Sequence, residues 1–160
     1  MSELDFGERP NVIPWPPLIY FAAMILAGAL EYALPIRNLD ALLGQAPVWT
    51  GAAVLALGFV IDLVAVITLR RHGTTALPHA GSKALCTTGI FGWSRNPIYV
   101  GNTIALVGLC VLLRWSWLLL IVPGTVTAIA WLAISREEAH LSKRFGHAFT
   151  VYCERVRRWL

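Results

Sequence analysis

The sequence contains few charged residues: they make up 14% of its 160 positions, while 57% are hydrophobic. A soluble domain usually has about 25% charged residues. The charges that are present gather in three regions, and the segments between them are almost free of charge. This distribution excludes an ordinary soluble core and is typical of a single domain, residues 1–160, that crosses a membrane several times.

Cysteine is scarce too, and Cys86, Cys110 and Cys153 show neither paired nor metal-like spacing. We therefore expect free thiols in a reducing compartment. The four histidines also lack a ligand spacing, so no metal site is predicted. A signal peptide is not predicted, because the first ten residues hold three acids and one arginine where a signal peptide would be basic.

Long apolar segments are what the chain does have, and they predict an all-α, polytopic membrane helix bundle. A spanning helix needs about 20 residues. The third segment is short, and few residues separate it from the fourth, so these two are expected to form a tight helical hairpin. Trp115 and Trp117 would lie at the far membrane interface. The predicted spans are residues 17–35, 48–71, 97–113 and 115–134.

The distribution of basic residues predicts the orientation of these spans. The loop at residues 72–96 and the arginines directly before it carry four basic residues and no acid. The tail at residues 135–160 carries six basic residues and three acids. Short loops rich in Lys and Arg stay in the cytoplasm. We expect a multi-pass inner-membrane protein whose loop and C-terminus are cytoplasmic and whose basic residues meet anionic lipid headgroups rather than nucleic acid.

The tail has the pattern of an amphipathic helix. Apolar residues recur at helical spacing, with basic residues between them, and Gly146 is a predicted break. Such a helix would lie along the headgroups or cover the bundle. A solvated run of charges remains the alternative. The apolar stripe consists of Leu141, Phe145, Phe149, Tyr152 and Val156.

Two polar clusters flank the predicted hairpin. Arg95 and Asn96 precede Pro97, which suits the first turn of a helix, and the free N–H groups of that turn favour an anion. Glu137 and Glu138 follow the fourth span and would point about 100° apart on a helix. They could pair with nearby basic residues or hold a cationic ligand. Because a hairpin would bring both clusters to one corner, the sequence favours a shared site over two unrelated membrane anchors.

Asp62 lies inside the second predicted span. A carboxylate in a membrane is costly, so it is a candidate functional residue. A buried acid that is hydrogen-bonded to Thr103 or to another helix is an equally good interpretation. Glu31, near the end of the first span, is expected at the interface.

The segments LCTTGIFGWSRNPIYVG and SREEAHLSKRFGHAFTVYCERVRRW resemble the C-terminal signature of the isoprenylcysteine carboxyl methyltransferase and phospholipid methyltransferase superfamily. The resemblance covers about residues 73–159. It implies an integral membrane methyltransferase that uses S-adenosylmethionine, bound at the cytosolic face by the C-terminal region. The cofactor-binding residues that it implies are Leu85, Thr88, Gly89, Asn96, Pro97, Tyr99, Gly101, Glu137 and Glu138, and the implied catalytic residues are Arg95, Asn96 and Glu138.

The chain departs from the family pattern at several positions. Asn96 stands where histidine is commoner, and Ile90 and Phe91 replace a Pro-Tyr pair. Two other interpretations stay open. Sterol reductases that use a nicotinamide cofactor have a similar C-terminal layout, and a non-catalytic lipid-binding membrane protein would also fit.

The acceptor is expected to be lipophilic and to enter from the bilayer between spans. An isoprenylcysteine-like carboxylate would need no base, whereas an amine must lose a proton before it attacks. Phospholipid amines and small lipophilic thiols are further candidates. If Glu138 binds the cofactor, its replacement by glutamine should abolish cofactor binding while the protein stays folded.

Overall fold

The computed structural model describes residues 15–36, 41, 43–74 and 84–160. Residues 75–83 of the predicted loop lie outside the described residues. Within the described part of the chain all regular structure is helical. The elements are α1 (Trp15–Ala33), α2 (Val48–Arg71), a 3₁₀ turn (Gly89–Gly92), α3 (Pro97–Leu113), α4 (Ser116–Ile129), a π-helical segment (Ala130–Ile134), α5 (Ser135–Phe145) and α6 (His147–Arg155).

Among the described residues, three helical runs are long and apolar enough to cross a membrane. They are α1, α2 and the continuous run Ser116–Phe145, which joins α4, the π-helical segment and α5. The shorter apolar helix α3 packs among them. The predicted all-α membrane helix bundle is thereby confirmed.

Helices α2 and α3 pack closely because glycines face each other along their contact. A Cβ atom on Gly58 would lie 2.5 Å from the Gly101 carbonyl oxygen, and one on Gly108 would lie 2.9 Å from the Gly51 carbonyl oxygen. In a bilayer, apolar burial drives helices together only weakly, so small residues that let backbones touch favour association. This contact fixes the position of α3, and with it the start of α3 at the loop.

The predicted hairpin between α3 and α4 is present. Arg114 has a left-handed backbone with φ of +58°, and the Trp115 amide donates to the Cys110 carbonyl over 3.0 Å. The Trp117 indole donates to the Leu34 carbonyl at 2.7 Å, and its amide donates to Glu31 at 3.3 Å. The hairpin turn therefore lies beside the end of α1, at the opposite end of the bundle from the loop and tail.

The tail is helical as predicted, but α5 continues the fourth span without a break. Gly146 separates α5 from α6 with φ of +50° and ψ of −124°, a conformation that only glycine adopts readily. Directly after the π-helical segment, the Ser135 hydroxyl donates to the Ala130 carbonyl at 2.8 Å. A π turn holds one residue more than an α turn. It therefore changes the direction in which all the following side chains of α5 point.

Candidate functional site

The C-terminal main chain is fastened to the loop that precedes α3. The Arg95 amide donates to the Arg157 carbonyl at 3.0 Å. The Arg158 carbonyl accepts from the Asn96 side-chain amide at 3.0 Å and from the Ser94 hydroxyl at 3.3 Å. Ser94 and Asn96 are both buried. Two segments about 60 residues apart in sequence are thus joined into one polar corner.

The apolar stripe of the tail covers the loop. Phe149, Tyr152 and Val156 form a buried cluster against which Leu85 packs. The Tyr152 hydroxyl donates to the Phe91 carbonyl at 2.7 Å. Burial raises the pKa of Tyr152, so the hydroxyl stays protonated and remains a donor. The apolar stripe of the tail is therefore buried against the loop that precedes α3.

Glu138 is held by arginines from the loop and from the tail. Arg95 Nη2 lies 3.2 Å from Glu138 Oε1, and these side chains are only 15% and 16% exposed. Arg158 bonds both carboxylate oxygens, with its Nε 3.2 Å from Oε1 and its Nη2 in contact with Oε2. Two guanidinium groups therefore balance one carboxylate. Glu138 serves as the electrostatic link between loop, α5 and tail.

Glu137 has a different environment, although it is the adjacent residue. Its Oε1 accepts a hydrogen bond from the Tyr99 hydroxyl at 2.7 Å. Both ion pairs in the described part of the chain involve Glu138. Arg136, the neighbour of Glu137, lies instead over the Trp15 ring at 5.9 Å from its centroid. The Glu137 carboxylate consequently faces the bundle without a balancing cation among the described residues.

Aromatic side chains pack against the buried cluster that contains Tyr99, the hydrogen-bond donor to this second carboxylate. Tyr99 belongs to a buried cluster with residues of the fourth helical run, and Trp15, Tyr20 and Trp159 pack against that cluster. Electron-rich ring faces together with a carboxylate attract a cation such as an ammonium or a sulfonium. Because no counter-ion lies beside it among the described residues, the buried carboxylate is costly, and a bound cation would be favoured there.

Asn96 and Pro97 begin α3 as the sequence predicts, with Pro97 in the first turn. The Asn96 side chain does not cap the helix, because it donates to the tail instead. Arg95 Nε is buried and has no hydrogen-bond partner within the described residues. An unused donor of a guanidinium group at a helix start is suited to an anionic group of a ligand.

Three predicted site residues lie away from this corner. Thr88 hydrogen-bonds His72 at 3.1 Å, and Gly89, with φ of +61°, lies beside Thr68 of α2. Gly101 faces α2, where a Cβ would lie 2.9 Å from the carboxyl carbon of Asp62. The remaining predicted residues gather at the corner or, in the case of Leu85, under the tail helix that covers it.

Arg158, Ser94 and Trp15 take part in the corner, but the sequence reasoning did not select them. Arg158 and Trp159 end the second segment that resembles the family signature, so a signal for Arg158 was present. Ser94 and Trp15 carry no comparable signal, since each is identified only by its contacts in three dimensions.

Replacing Arg158 with alanine should remove the pairing to Glu138 while keeping the backbone carbonyl that holds Asn96. Because Arg158 is 41% exposed, the loss should be modest, about 1 kcal/mol in the free energy of unfolding. The matched control is Arg157→Ala, which removes an exposed arginine whose backbone carbonyl also contacts the loop. Denaturant unfolding of both variants tests this expectation. Equal stability of the two variants would contradict it.

Comparison with known proteins shows the family to which this chain is similar. A model of the phospholipid methyltransferase family matches residues 46–148, which is more than half of the chain and includes α2, the loop, the hairpin and α5. A nickel-cobalt-cadmium resistance protein, NccN, from Alcaligenes xylosoxydans xylosoxydans is 28% identical over 156 residues. That alignment covers 96% of this chain and 72% of NccN.

Proposed function

The chain belongs to the phospholipid methyltransferase family, and from this premise we propose that it transfers a methyl group from S-adenosylmethionine to a lipophilic acceptor. The observation that carries the proposal is the different pairing of the two adjacent glutamates. Glu138 is neutralised by two arginines, whereas Glu137 accepts a hydrogen bond from the Tyr99 hydroxyl and has no ion pair among the described residues. Such a division provides one carboxylate to hold the site together and one to bind a cationic ligand.

The residues at the corner fit the donor molecule. S-adenosylmethionine carries a sulfonium, an ammonium, a carboxylate and ribose hydroxyls. The buried and unpartnered Arg95 Nε would bind the carboxylate, and Glu137 would bind a cationic or hydroxyl group. Leu85 and the tail helix would lie over the adenosine. This assignment uses polar atoms that are otherwise unused or uncompensated within the described residues.

The protein contributes positioning and exclusion of water. When bound, S-adenosylmethionine would supply an electrophilic methyl carbon that an acceptor can attack in line, with the donor sulfur leaving as a neutral thioether. The closed contact between loop and tail would keep water away from the corner and hold the side chains in one geometry. Correct positioning of two reactants can contribute several kcal/mol to catalysis, and exclusion of water strengthens the charge interactions.

The acceptor would reach this site from the bilayer. The surfaces of α1 and α2 expose large apolar residues, for example Phe21 and Phe59, as expected for helices that face lipid. A lipophilic molecule dissolved in the membrane could move between the helices without crossing water. We place the corner at the cytoplasmic face, on the basis of the positive charge of the loop and tail.

Ligand-dependent melting of the detergent-solubilised protein tests the choice of cofactor. S-adenosylmethionine should raise the melting temperature in proportion to the logarithm of its concentration, because it binds the native state. NADPH is the matched comparison and should leave the melting temperature unchanged. Stabilisation by NADPH alone would contradict the proposal and favour a reductase.

A further inference from the structure

The two arginines at Glu138 bind its carboxylate in different ways. Arg158 approaches side-on, with its Nε 3.2 Å from Oε1 and its Nη2 in contact with Oε2. Arg95 meets the same Oε1 through its Nη2 at 3.2 Å, and its Nε has no hydrogen-bond partner among the described residues. Because a guanidinium group binds a carboxylate most strongly through two parallel hydrogen bonds, Arg158 occupies the place that Arg95 would need for such a pair.

Arg95 is fixed at this corner by the main chain around it. Its amide donates to the Arg157 carbonyl at 3.0 Å, and the side chain of the next residue, Asn96, donates to the Arg158 carbonyl at 3.0 Å. The Arg95 side chain is only 15% exposed. The guanidinium group consequently stays beside Glu138 and keeps the Nε donor that the proposed function assigns to the cofactor carboxylate.

The charged side chains at this corner leave one positive charge in excess. Two guanidinium groups face a single carboxylate, and both ion pairs in the part of the chain that the structure describes belong to this group. A charge that is largely withdrawn from water is costly unless it is paired. One ligand carboxylate would complete the pairing, with Arg158 bound to Glu138 and Arg95 bound to the ligand.

We propose that Arg158 is a positioning residue that keeps Arg95 available for the carboxylate of S-adenosylmethionine. This inference rests on the proposed function, in which Arg95 binds that carboxylate. Arg158 acts through Glu138 and does not itself contact the cofactor. In its absence, Glu138 would draw Arg95 into a pair with two hydrogen bonds, and the corner would lose both the free Nε donor and its excess positive charge.

Two ligands that differ in one group test this role: S-adenosylmethionine and its decarboxylated analogue, which keeps the sulfonium, the amine and the adenosine. Calorimetry on the detergent-solubilised protein gives both affinities. The unsubstituted protein should bind S-adenosylmethionine at least about 10-fold more tightly than the analogue, as expected for a hydrogen bond between charged groups. Arg158→Ala should lose about this 10-fold preference and leave the affinity for the analogue unchanged. Arg155→Ala removes an exposed arginine at the end of α6 and is the control that should keep the preference.

A second substitution distinguishes an action through Glu138 from a direct contact. Glu138→Gln removes the charge that would draw Arg95 away. In that background, Arg158→Ala should no longer change the ratio of the two affinities, because Arg95 stays free in either case. A direct contact between Arg158 and the cofactor carboxylate would instead cost the same factor in both backgrounds. Thermal unfolding checks that each variant is folded, and if the double variant is not, the ratio in Arg158→Ala remains decisive.

The outcomes separate the positioning role from the proposed function. If the unsubstituted protein binds neither ligand, the proposed function fails. If it binds both equally well, the function stands and the positioning role of Arg158 is overturned. Equal weakening of both ligands by Arg158→Ala would indicate a purely structural role and would also overturn it, as would an equal loss of preference in the two backgrounds.

Discussion

Glu137→Gln should weaken the binding of S-adenosylmethionine about 10- to 100-fold while leaving the fold intact. Glutamine has nearly the same shape, and its carbonyl oxygen can still accept the hydrogen bond from Tyr99. What is lost is the negative charge, and a hydrogen bond to a charged group contributes about 1.5–3 kcal/mol. Isothermal titration calorimetry of the detergent-solubilised protein measures the affinity, and thermal unfolding checks the fold.

Two further variants show whether the charge or the contact matters at Glu137. Tyr99→Phe removes the hydroxyl but keeps the carboxylate, so its effect on affinity should be smaller than that of Glu137→Gln. Glu138→Gln removes the partner of two arginines and should lower stability as well as affinity. From the sequence alone, the largest loss of S-adenosylmethionine affinity is expected in Glu138→Gln. From the ion pairs in the structure, we expect it in Glu137→Gln. An affinity in Glu137→Gln equal to that of the unsubstituted protein would contradict this assignment.

Gly108→Ala should destabilise the bundle by about 3 kcal/mol, at the upper end of the usual cost of overpacking. The added methyl group would meet the backbone of the neighbouring helix, with Leu55 Cα at 2.8 Å and the Gly51 carbonyl oxygen at 2.9 Å. Backbone atoms cannot move aside as a flexible side chain can, so α2 and α3 would have to separate. Thermal unfolding in detergent should show a clearly lower melting temperature.

Gly124→Ala is the matched control for this prediction. Gly124 also lies inside an apolar helix, but a Cβ there has nothing within 4 Å. Because alanine favours a helix over glycine by up to about 1 kcal/mol, the control should be neutral or stabilising. Similar melting temperatures for the two variants would show that the close contact between α2 and α3 does not limit stability.

Separation of α2 from α3 would also affect the proposed site. Gly101 and Gly108 are on the same face of α3, and Gly101 is the residue against which Asp62 rests. The start of α3 carries Asn96 and Tyr99, which bind the tail and Glu137. The glycine contact that allows the helices to pack therefore also fixes the start of α3 in the proposed donor site.

Several features of the fold could be predicted because they depend on local sequence. The length of an apolar segment and the turn residues at its ends decide where a membrane helix begins and ends. Helix α3 starts at Pro97 and α2 ends at Arg71 as expected. The break at Gly146 is also local, since it depends on the backbone freedom of one residue.

The resemblance of the loop and tail segments to the family signature identified most of the site residues from the sequence alone. It did not show that Gly101 packs against α2. A glycine in a sequence indicates that something approaches the backbone closely, but it does not distinguish a ligand from a neighbouring helix. It also did not reach Trp15 and Tyr20, which lie in α1, outside the segments compared.

By itself, the sequence determined an all-α membrane bundle and a polar corner made by the loop and the tail, because hydropathy and charge act locally along the chain. Only the tertiary structure decided which glutamate is neutralised. Adjacent side chains on a helix diverge by about 100°, and the π-helical segment before α5 adds a residue that changes their direction. Arg158, which binds Glu138, approaches from 20 residues away. The roles of Glu137 and Glu138 therefore depend on helix packing and on tail docking, which no local pattern encodes.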